Sequence, residues 1–181
     1  MRSALAAALA AVALAAGPGA SLAADAGSRL VVATKHDGVR FVEDLRVGPL
    51  RSSATVSTLV DVRETWGQEK VLRRATCLAS WGTGVRLLFT TFGGPAPCRE
   101  RFLQQVTVVG KRWVVQIRGT PYTIGMPASD LPTGARYVAY LKSYELATMP
   151  FAGGRTSTVL AHVNRNDRVD RFVLFIGGAG D

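Results

Sequence analysis

Cys77 and Cys98 are the only cysteines of this 181-residue chain, and three kinds of chemistry are open to such a pair. A cysteine nucleophile needs an imidazole base beside it, and a metal site needs further ligands at short, regular spacing. Neither histidine, His36 or His162, lies within a few residues of a cysteine, and no C-x-x-C motif is present. We therefore favour a disulfide between Cys77 and Cys98 over a catalytic cysteine or a metal site.

Little else in the sequence marks a catalytic site. His162 alternates with Val159 and Ala161 near the end of a strand-like run, where a nearby serine or threonine could use it as a base. His36 and Asp37 are better interpreted as turn residues than as a dyad. The chain has no H-E-x-x-H, G-x-S-x-G, P-loop or dinucleotide-binding glycine motif. We predict no catalytic residue, metal or cofactor, and a hydrolase assembled around His162 is the alternative.

Aromatic side chains are the remaining candidates for function, because tryptophan and tyrosine dominate the energetics of binding surfaces. The alternative is that they fill the core between a helix and a sheet, which is the favoured interpretation for Trp81. Five aromatic residues are assigned to a candidate binding surface: Trp81, Trp113, Tyr137, Tyr140 and Tyr144.

The chain is basic, with 22 lysines and arginines against 13 acidic residues and a formal net charge of +9. Such a charge favours anionic partners such as cell-wall polymers or acidic proteins, although a solvated basic surface would have the same composition. No RNP-type run is present, so we expect no nucleic acid partner. The basic residues are densest at three places: Arg73-Arg74, Arg99 with Arg101, and Lys111-Arg112.

The first residues have the order of a secretory signal peptide. Arg2 precedes an apolar run from Ala4 to Ala16, and small residues follow at a cleavage-type site. The run is shorter than the ~20 residues that span a bilayer, and no later segment is apolar enough to do so. We expect a signal peptide over 1–24, with an uncleaved anchor as the alternative, and one secreted domain over 25–181. An oxidising compartment of this kind favours disulfide formation.

Short β-type runs broken by turn residues predict an antiparallel, β-rich protein. Strand-like runs at 29–34 and 38–45 flank Asp37-Gly38 and predict an N-terminal β-hairpin. A helix is predicted over 53–65, beginning at Ser52 or Ser53 and ending before Gly67. Six further strands are predicted at 71–81, 84–92, 101–110, 139–148, 156–163 and 169–178.

The second half of the chain looks like a repeat of the first. The strand holding Cys77 matches the strand holding Tyr144, and the two following strands of each half also match in order. The predicted fold is therefore α+β and β-rich, with two tandem α-β-β-β repeats and antiparallel sheets after the hairpin. The repeats span about 41–110 and 117–178. The alternative is that any two antiparallel meanders align this loosely.

Ile124-Gly125-Met126, followed by Asp130-Leu131, resembles a motif of the β-lactamase-inhibitor-protein (BLIP) family and the SmpA/OmlA envelope lipoproteins. This resemblance implies repeats in which a short helix packs on an antiparallel sheet, and a protein-binding role through a sheet face that presents aromatics. It does not imply inhibition of β-lactamases. The layout is also similar to that of uncharacterised secreted actinobacterial proteins, which assigns no activity.

The chain departs from that family pattern in several positions. Pro127 occupies the position of the helix-capping threonine, and Pro132 would end the second helix after one turn. The first repeat has Pro49-Leu50-Arg51 instead of the Met-Thr motif, and the acylated cysteine of the lipoproteins is missing. Because of these departures, the resemblance is limited to the order of the predicted elements and to a few motif positions.

Export, a basic surface and aromatic residues occur together with no catalytic motif. We therefore expect a secreted, non-enzymatic binding or envelope-associated module that recognises a protein or an anionic cell-surface polymer. The alternatives are the hydrolase around His162 and a purely structural domain.

Overall fold

A computed structural model describes residues 29–36, 41–48, 57–82, 84–91, 94–151 and 155–179. The predicted signal peptide and the Asp37-Gly38 turn lie outside these ranges. The described elements, in chain order, are β1 (Arg29–His36), β2 (Phe41–Val47), α1 (Leu59–Trp66), β3 (Val71–Arg73), β4 (Leu78–Ser80), β5 (Val85–Thr90), β6 (Phe102–Val108), β7 (Val114–Ile117), β8 (Thr120–Thr123), β9 (Arg136–Val138), β10 (Ser143–Phe151), β11 (Arg155–Val163) and β12 (Val169–Ala179).

The strands form two sheets. A four-stranded sheet has the order β2-β1-β7-β8, and an eight-stranded sheet has the order β3-β4-β5-β6-β12-β11-β10-β9. Every paired strand in the eight-stranded sheet is antiparallel to its neighbour, whereas β1 and β7 are parallel. The β-rich class with antiparallel sheets is therefore confirmed, and α1 is the one α-helix in the described part of the chain.

The core lies on one face of the eight-stranded sheet, against α1 and the four-stranded sheet. Buried side chains alternate with more exposed ones along β5, β6 and β12, as expected for strands whose two faces differ in environment. The opposite face, called the open face below, carries the side chains that alternate with the buried ones. Its central strands contribute Arg86, Leu88, Gln105, Thr107, Val173 and Phe175.

Helix α1 begins later than predicted. Thr58 is its N-cap: the Thr58 hydroxyl accepts a bond from the Asp61 amide at 3.4 Å, and the Asp61 carboxylate accepts one from the Thr58 amide at 2.7 Å. This reciprocal box satisfies two amides that helix geometry leaves without partners. Gly67 ends the helix as predicted, with φ of 76° and its amide bonded to the Arg63 carbonyl at 2.8 Å.

Two predicted strands are wrong in detail. The run 71–81 is not one strand but the hairpin β3–β4, because Arg74–Cys77 forms a turn in which Cys77 has φ of 51°. The run 139–148 likewise begins with a 3₁₀ turn before β10. In both places a tertiary arrangement overrides a local sequence that favours extended backbone.

The eight-stranded sheet consists of two four-stranded meanders, β3–β6 and β9–β12, joined along β6 and β12. The strand registers of the two meanders match. In the first hairpin of each, Val71↔Ser80 and Arg73↔Leu78 correspond to Arg136↔Glu145 and Val138↔Ser143. In the second hairpin, Val85↔Val108 and Phe89↔Leu103 correspond to Val159↔Leu174 and Val163↔Val169. Each meander also has a bulge at the same place, after Leu88 in the first and after His162 in the second.

The segments that lead into the two meanders differ. The Leu103 amide donates to the Ser57 carbonyl at 2.8 Å, and the Val169 amide donates to the Met126 carbonyl at 2.9 Å, so both segments enter their meander in the same way. After Ser57 the chain forms α1. After Met126 it forms only the 3₁₀ turn Ala128–Asp130, because Pro132 cannot continue a helix.

Candidate functional site

Cys77 and Cys98 form the predicted disulfide, with Cα atoms 5.3 Å apart. The bond connects the β3–β4 turn to the 3₁₀ turn Cys98–Glu100, which precedes β6. Because the sulfur atoms bond to each other, neither is a thiolate nucleophile or a metal ligand. No group of three or more His, Cys, Asp or Glu side chains suited to a metal ion occurs among the described residues.

Two of the predicted surface aromatics lie in the core. Trp81 is 6% exposed and Trp113 is 1% exposed. The ring of Trp66, on α1, lies 5.2 Å from that of Trp81 and 6.2 Å from that of Trp113, and the Trp81 indole donates to the Gly67 carbonyl at 2.9 Å. The partly buried Trp66 thus packs α1 against Trp81, next to β4, and Trp113, next to β7, and the two buried rings are not available to a partner at the surface.

The tyrosines lie together near the outer edge of the second meander. Tyr144 is half-buried against the core and its ring centroid lies 5.1 Å from that of Tyr137, which is 53% exposed. Tyr144 is the register partner of both Tyr137 and the buried Ala161, so both rings project from the core-facing side of the sheet. Tyr140 lies in the turn after β9 and is 86% exposed.

Tyr140 belongs to the wall of a groove of about 670 Å³ on the second half of the sheet. We call it the aromatic groove and define it by the segment 136–141, which forms one wall, together with side chains from β10, β11 and β12. Leu160 is only 6% exposed although it projects from the open face, because the wall covers it. The lining residues from the three strands are Glu145, Thr158, Leu160 and Phe175.

A hydrogen-bond network fixes the polar side of the groove. Arg136 Nη2 donates to Glu145 Oε2 at 2.7 Å, Thr148 Oγ1 donates to Glu145 Oε1 at 2.9 Å, and the Thr148 and Thr158 hydroxyls lie 3.2 Å apart. The hydrogen bonds from Arg136 and then Thr148 lower the pKa of Glu145, and the same carboxylate raises the pKa of Arg136. Glu145 is therefore an ionised acceptor with a fixed orientation, which suits binding rather than proton transfer.

His162 forms a pair with a carboxylate. Its Nδ1 lies 2.8 Å from Asp170 Oδ1, across the β11–β12 hairpin. Ser143 is the register partner of His162, but it is buried and its hydroxyl donates to the Leu141 carbonyl at 2.9 Å. The arrangement therefore supplies an oriented imidazole without a nucleophile bonded to it.

The sequence missed the groove residues Arg136, Glu145, Leu160 and Phe175. The strand register of the second meander would have indicated them, because side chains that are directly opposite on neighbouring strands lie on the same face of the sheet. A bulge between Glu145 and Ala147 is what places both Glu145 and Thr148 on the open face, and no residue type in that stretch marks the bulge.

No protein-family model matches this chain, and the searches of curated proteins and of solved structures found no match either. In the described part of the chain no helix has both the length and the apolar character needed to cross a membrane. The disulfide is compatible with a protein of an oxidising, extracytoplasmic compartment.

Proposed function

We propose that this protein is a secreted, non-enzymatic binding module that holds a segment of a partner protein in the aromatic groove. The observation that carries the proposal is Tyr140, a large aromatic side chain that is 86% exposed on the wall of a concave surface. Tyrosines in such positions are common anchors of protein interfaces. Phe175, which is 40% exposed, provides an apolar floor for a partner side chain.

The polar groups of the groove support a protein partner rather than a polyanion. Arg136 is already paired with Glu145, so the groove has little net positive charge to offer an anionic polymer. Glu145 and the Thr148–Thr158 pair are hydrogen-bonding groups held in place before a ligand arrives. Groups fixed in advance lose less entropy on binding, which favours a peptide with its own backbone donors.

We further infer that the chain consists of two tandem repeats after an N-terminal β-hairpin, each with a short helical segment before a four-stranded meander in place of the three strands expected from the sequence, and that it is exported with removal of its first residues. The matching registers of the two meanders support the repeats, and the β1–β2 pairing from Leu30↔Val47 to His36↔Phe41 supports the hairpin. The disulfide supports export.

Site-specific photocrosslinking in intact cells tests the groove. Benzoylphenylalanine at position 140 should yield a protein adduct in which mass spectrometry identifies one recurring partner segment. The matched control is the same side chain at position 71, where the native valine is 53% exposed on β3, at the edge of the sheet farthest from the groove. Equal adducts at the two positions, or no protein adduct at position 140, would overturn the proposal.

The affinity of the crosslinked segment then gives a quantitative check. Tyr140→Ala should weaken binding of that segment about thirtyfold, the effect of losing a hot-spot side chain. Val71→Ala, at an exposed position outside the groove, should change the affinity less than threefold. Circular dichroism of both variants establishes that the fold is retained.

Hydrolysis is a second candidate function, favoured by the 2.8 Å contact between His162 and Asp170. The buried hydroxyl of Ser143 argues against it, since that group donates to a carbonyl instead of to the imidazole. Turnover of a chromogenic ester that disappears in both His162→Asn and Ser143→Ala would support this candidate. Turnover that survives either substitution would end it.

A further inference from the structure

The disulfide brings together two of the three basic pairs of the sequence. Arg73 and Arg74 lie at the end of β3 and the start of the turn that ends at Cys77, and Arg99 follows Cys98 directly. Arg101 comes two residues later. We call these four arginines the disulfide patch.

The contacts around the disulfide hold the two segments close. The carbonyl oxygen of Arg74 lies 3.3 Å from the Sγ atom of Cys98 and 3.5 Å from that of Cys77. The Cys77 carbonyl in turn accepts a hydrogen bond from the Phe89 amide at 3.1 Å, which anchors the turn to β5. The arginine side chains therefore start from backbone positions that the sheet and the disulfide both fix.

The patch is strongly cationic. Four arginines against one acidic residue, Glu100, leave a net charge of +3 over residues 73–77 and 98–101. Glu100 forms an ion pair with Arg99 at 3.3 Å, and both side chains are well exposed. Within the described ranges no carboxylate forms an ion pair with Arg73, Arg74 or Arg101.

We propose that the disulfide patch binds a linear polyanion, a polymer with repeated phosphate or carboxylate groups. Guanidinium groups bind both anions through paired hydrogen bonds, and four of them on two segments joined by a disulfide offer several contacts to a repeating ligand. Arg101 is the least exposed of the four, and its Nε donates to the Ala96 carbonyl at 2.9 Å, which fixes this side chain beside the 3₁₀ turn. Binding also releases the counterions of the polymer, which makes the affinity depend on salt. This site is separate from the aromatic groove and does not rest on its function.

The second meander indicates that the patch is not a requirement of the fold. Val138 and Ala139 occupy the register positions of Arg73 and Arg74, and Lys142 occupies that of Cys77. Cys77 and Lys142 both have a positive φ, 51° and 48°, so the two turns have similar backbones at this point. A turn of this kind therefore forms without the arginines or the disulfide, and their presence in the first meander needs another reason.

Titration with inorganic polyphosphate and with polyglutamate, at 50 and 200 mM salt, tests the proposal. The double variants Arg73→Gln/Arg74→Gln and Arg99→Gln/Arg101→Gln should each lower the affinity at low salt about tenfold and reduce the salt slope by about 2. The matched control is Lys111→Gln/Arg112→Gln, which removes the same charge. That pair follows Gly110, whose amide bonds to the Gly84 carbonyl at 3.0 Å, at the opposite end of β5. The control should change the affinity less than twofold.

The two polymers distinguish phosphate from carboxylate as the preferred group, and tight binding of either supports the site. Equal losses in the control and the patch variants would mean a general effect of surface charge and would overturn the proposal. Binding of the neutral polymer dextran as tightly as either polyanion would overturn the assigned ligand class.

A Cys77→Ser/Cys98→Ser variant provides an independent readout, because it separates the two arginine pairs without changing the charge. It should lower polyphosphate affinity about as much as losing one pair. If this variant does not fold at the assay temperature, the arginine variants decide alone. Tyr140→Ala should bind polyphosphate like the wild type, so failure of the groove and failure of the patch are distinguishable.

Discussion

The turns after β3 and β9 occupy the same place in the two meanders and present opposite kinds of surface. The turn Arg74–Cys77 carries a disulfide and arginines, whereas Ala139–Lys142 carries the most exposed aromatic residue described, Tyr140. Both turns end at a residue with positive φ. The backbone therefore sets where each surface lies, and the side chains on one short turn decide what that surface contacts.

The two meanders also differ in what covers their core-facing sides. Ala79 is fully buried in the first meander, which the tryptophans and α1 cover. Its register equivalent in the second meander is Tyr144, which fills with its own ring the space that a helix does not reach. We therefore expect the first meander, which α1 covers, to contribute more to stability than the second.

Removing a buried side chain from the first meander should lower the free energy of unfolding more than removing its register equivalent from the second. Phe89 is fully buried, and its register equivalent Val163 is only half-buried. Phe89→Ala should destabilise the protein by about 4 kcal/mol, because it leaves a large cavity. Val163→Ala should cost about 1 kcal/mol. Urea unfolding measures both, and equal losses would mean that the halves share stability evenly.

Loss of the disulfide is the next largest effect. Without the Cys77–Cys98 bond the unfolded chain gains conformational freedom, so reduction should cost about 3 kcal/mol by the chain-entropy model. The measurement is urea unfolding with and without reductant, with alkylation and mass spectrometry as the control for thiol content. Unchanged stability would mean that packing alone holds the loop onto the first meander.

Local signals allowed part of the fold and site to be predicted. The disulfide followed from two cysteines in a predicted exported chain, and the end of α1 followed from Gly67. Gly82 and Gly84, between β4 and β5, have φ of 76° and 86°, a backbone conformation that their residue type indicates. In each case one residue type permits a conformation or a bond that others do not.

Features set by distant contacts could not be predicted in this way. The segment from Leu72 to Leu78 contains no glycine or proline, so nothing local marks its turn, and Cys77 adopts positive φ within a folded environment. The parallel pairing of β1 with β7 joins segments far apart in sequence. Whether a tryptophan such as Trp81 is buried depends on α1 packing across it, which its own neighbours do not specify.

The last prediction concerns the two arginine–glutamate ion pairs, Arg63–Glu69 and Arg136–Glu145. In the first half, Arg63 on α1 donates to both oxygens of Glu69 at 2.8 and 2.5 Å, and the Glu69 side chain is 3% exposed. The hydrogen bond from Arg63 outweighs burial and lowers the pKa of Glu69 below its ordinary value. A carboxyl whose pKa falls on folding stabilises the protein above its unfolded pKa, and this stabilisation is lost as pH falls through the folded pKa.

Glu69→Gln should therefore cost about 2 kcal/mol at neutral pH, since it leaves a partly buried guanidinium without its charged partner. The cost should shrink as acid protonates Glu69 in the wild type, because both proteins then lack the carboxylate. Glu145→Gln should change stability much less, because Arg136 is exposed and solvent screens that pair. Urea unfolding at neutral and acidic pH measures both variants. If Glu145→Gln lowers the free energy of unfolding as much as Glu69→Gln does, the Arg136–Glu145 pair of the groove stabilises the fold. The expected difference in stability between the two meanders would then be wrong.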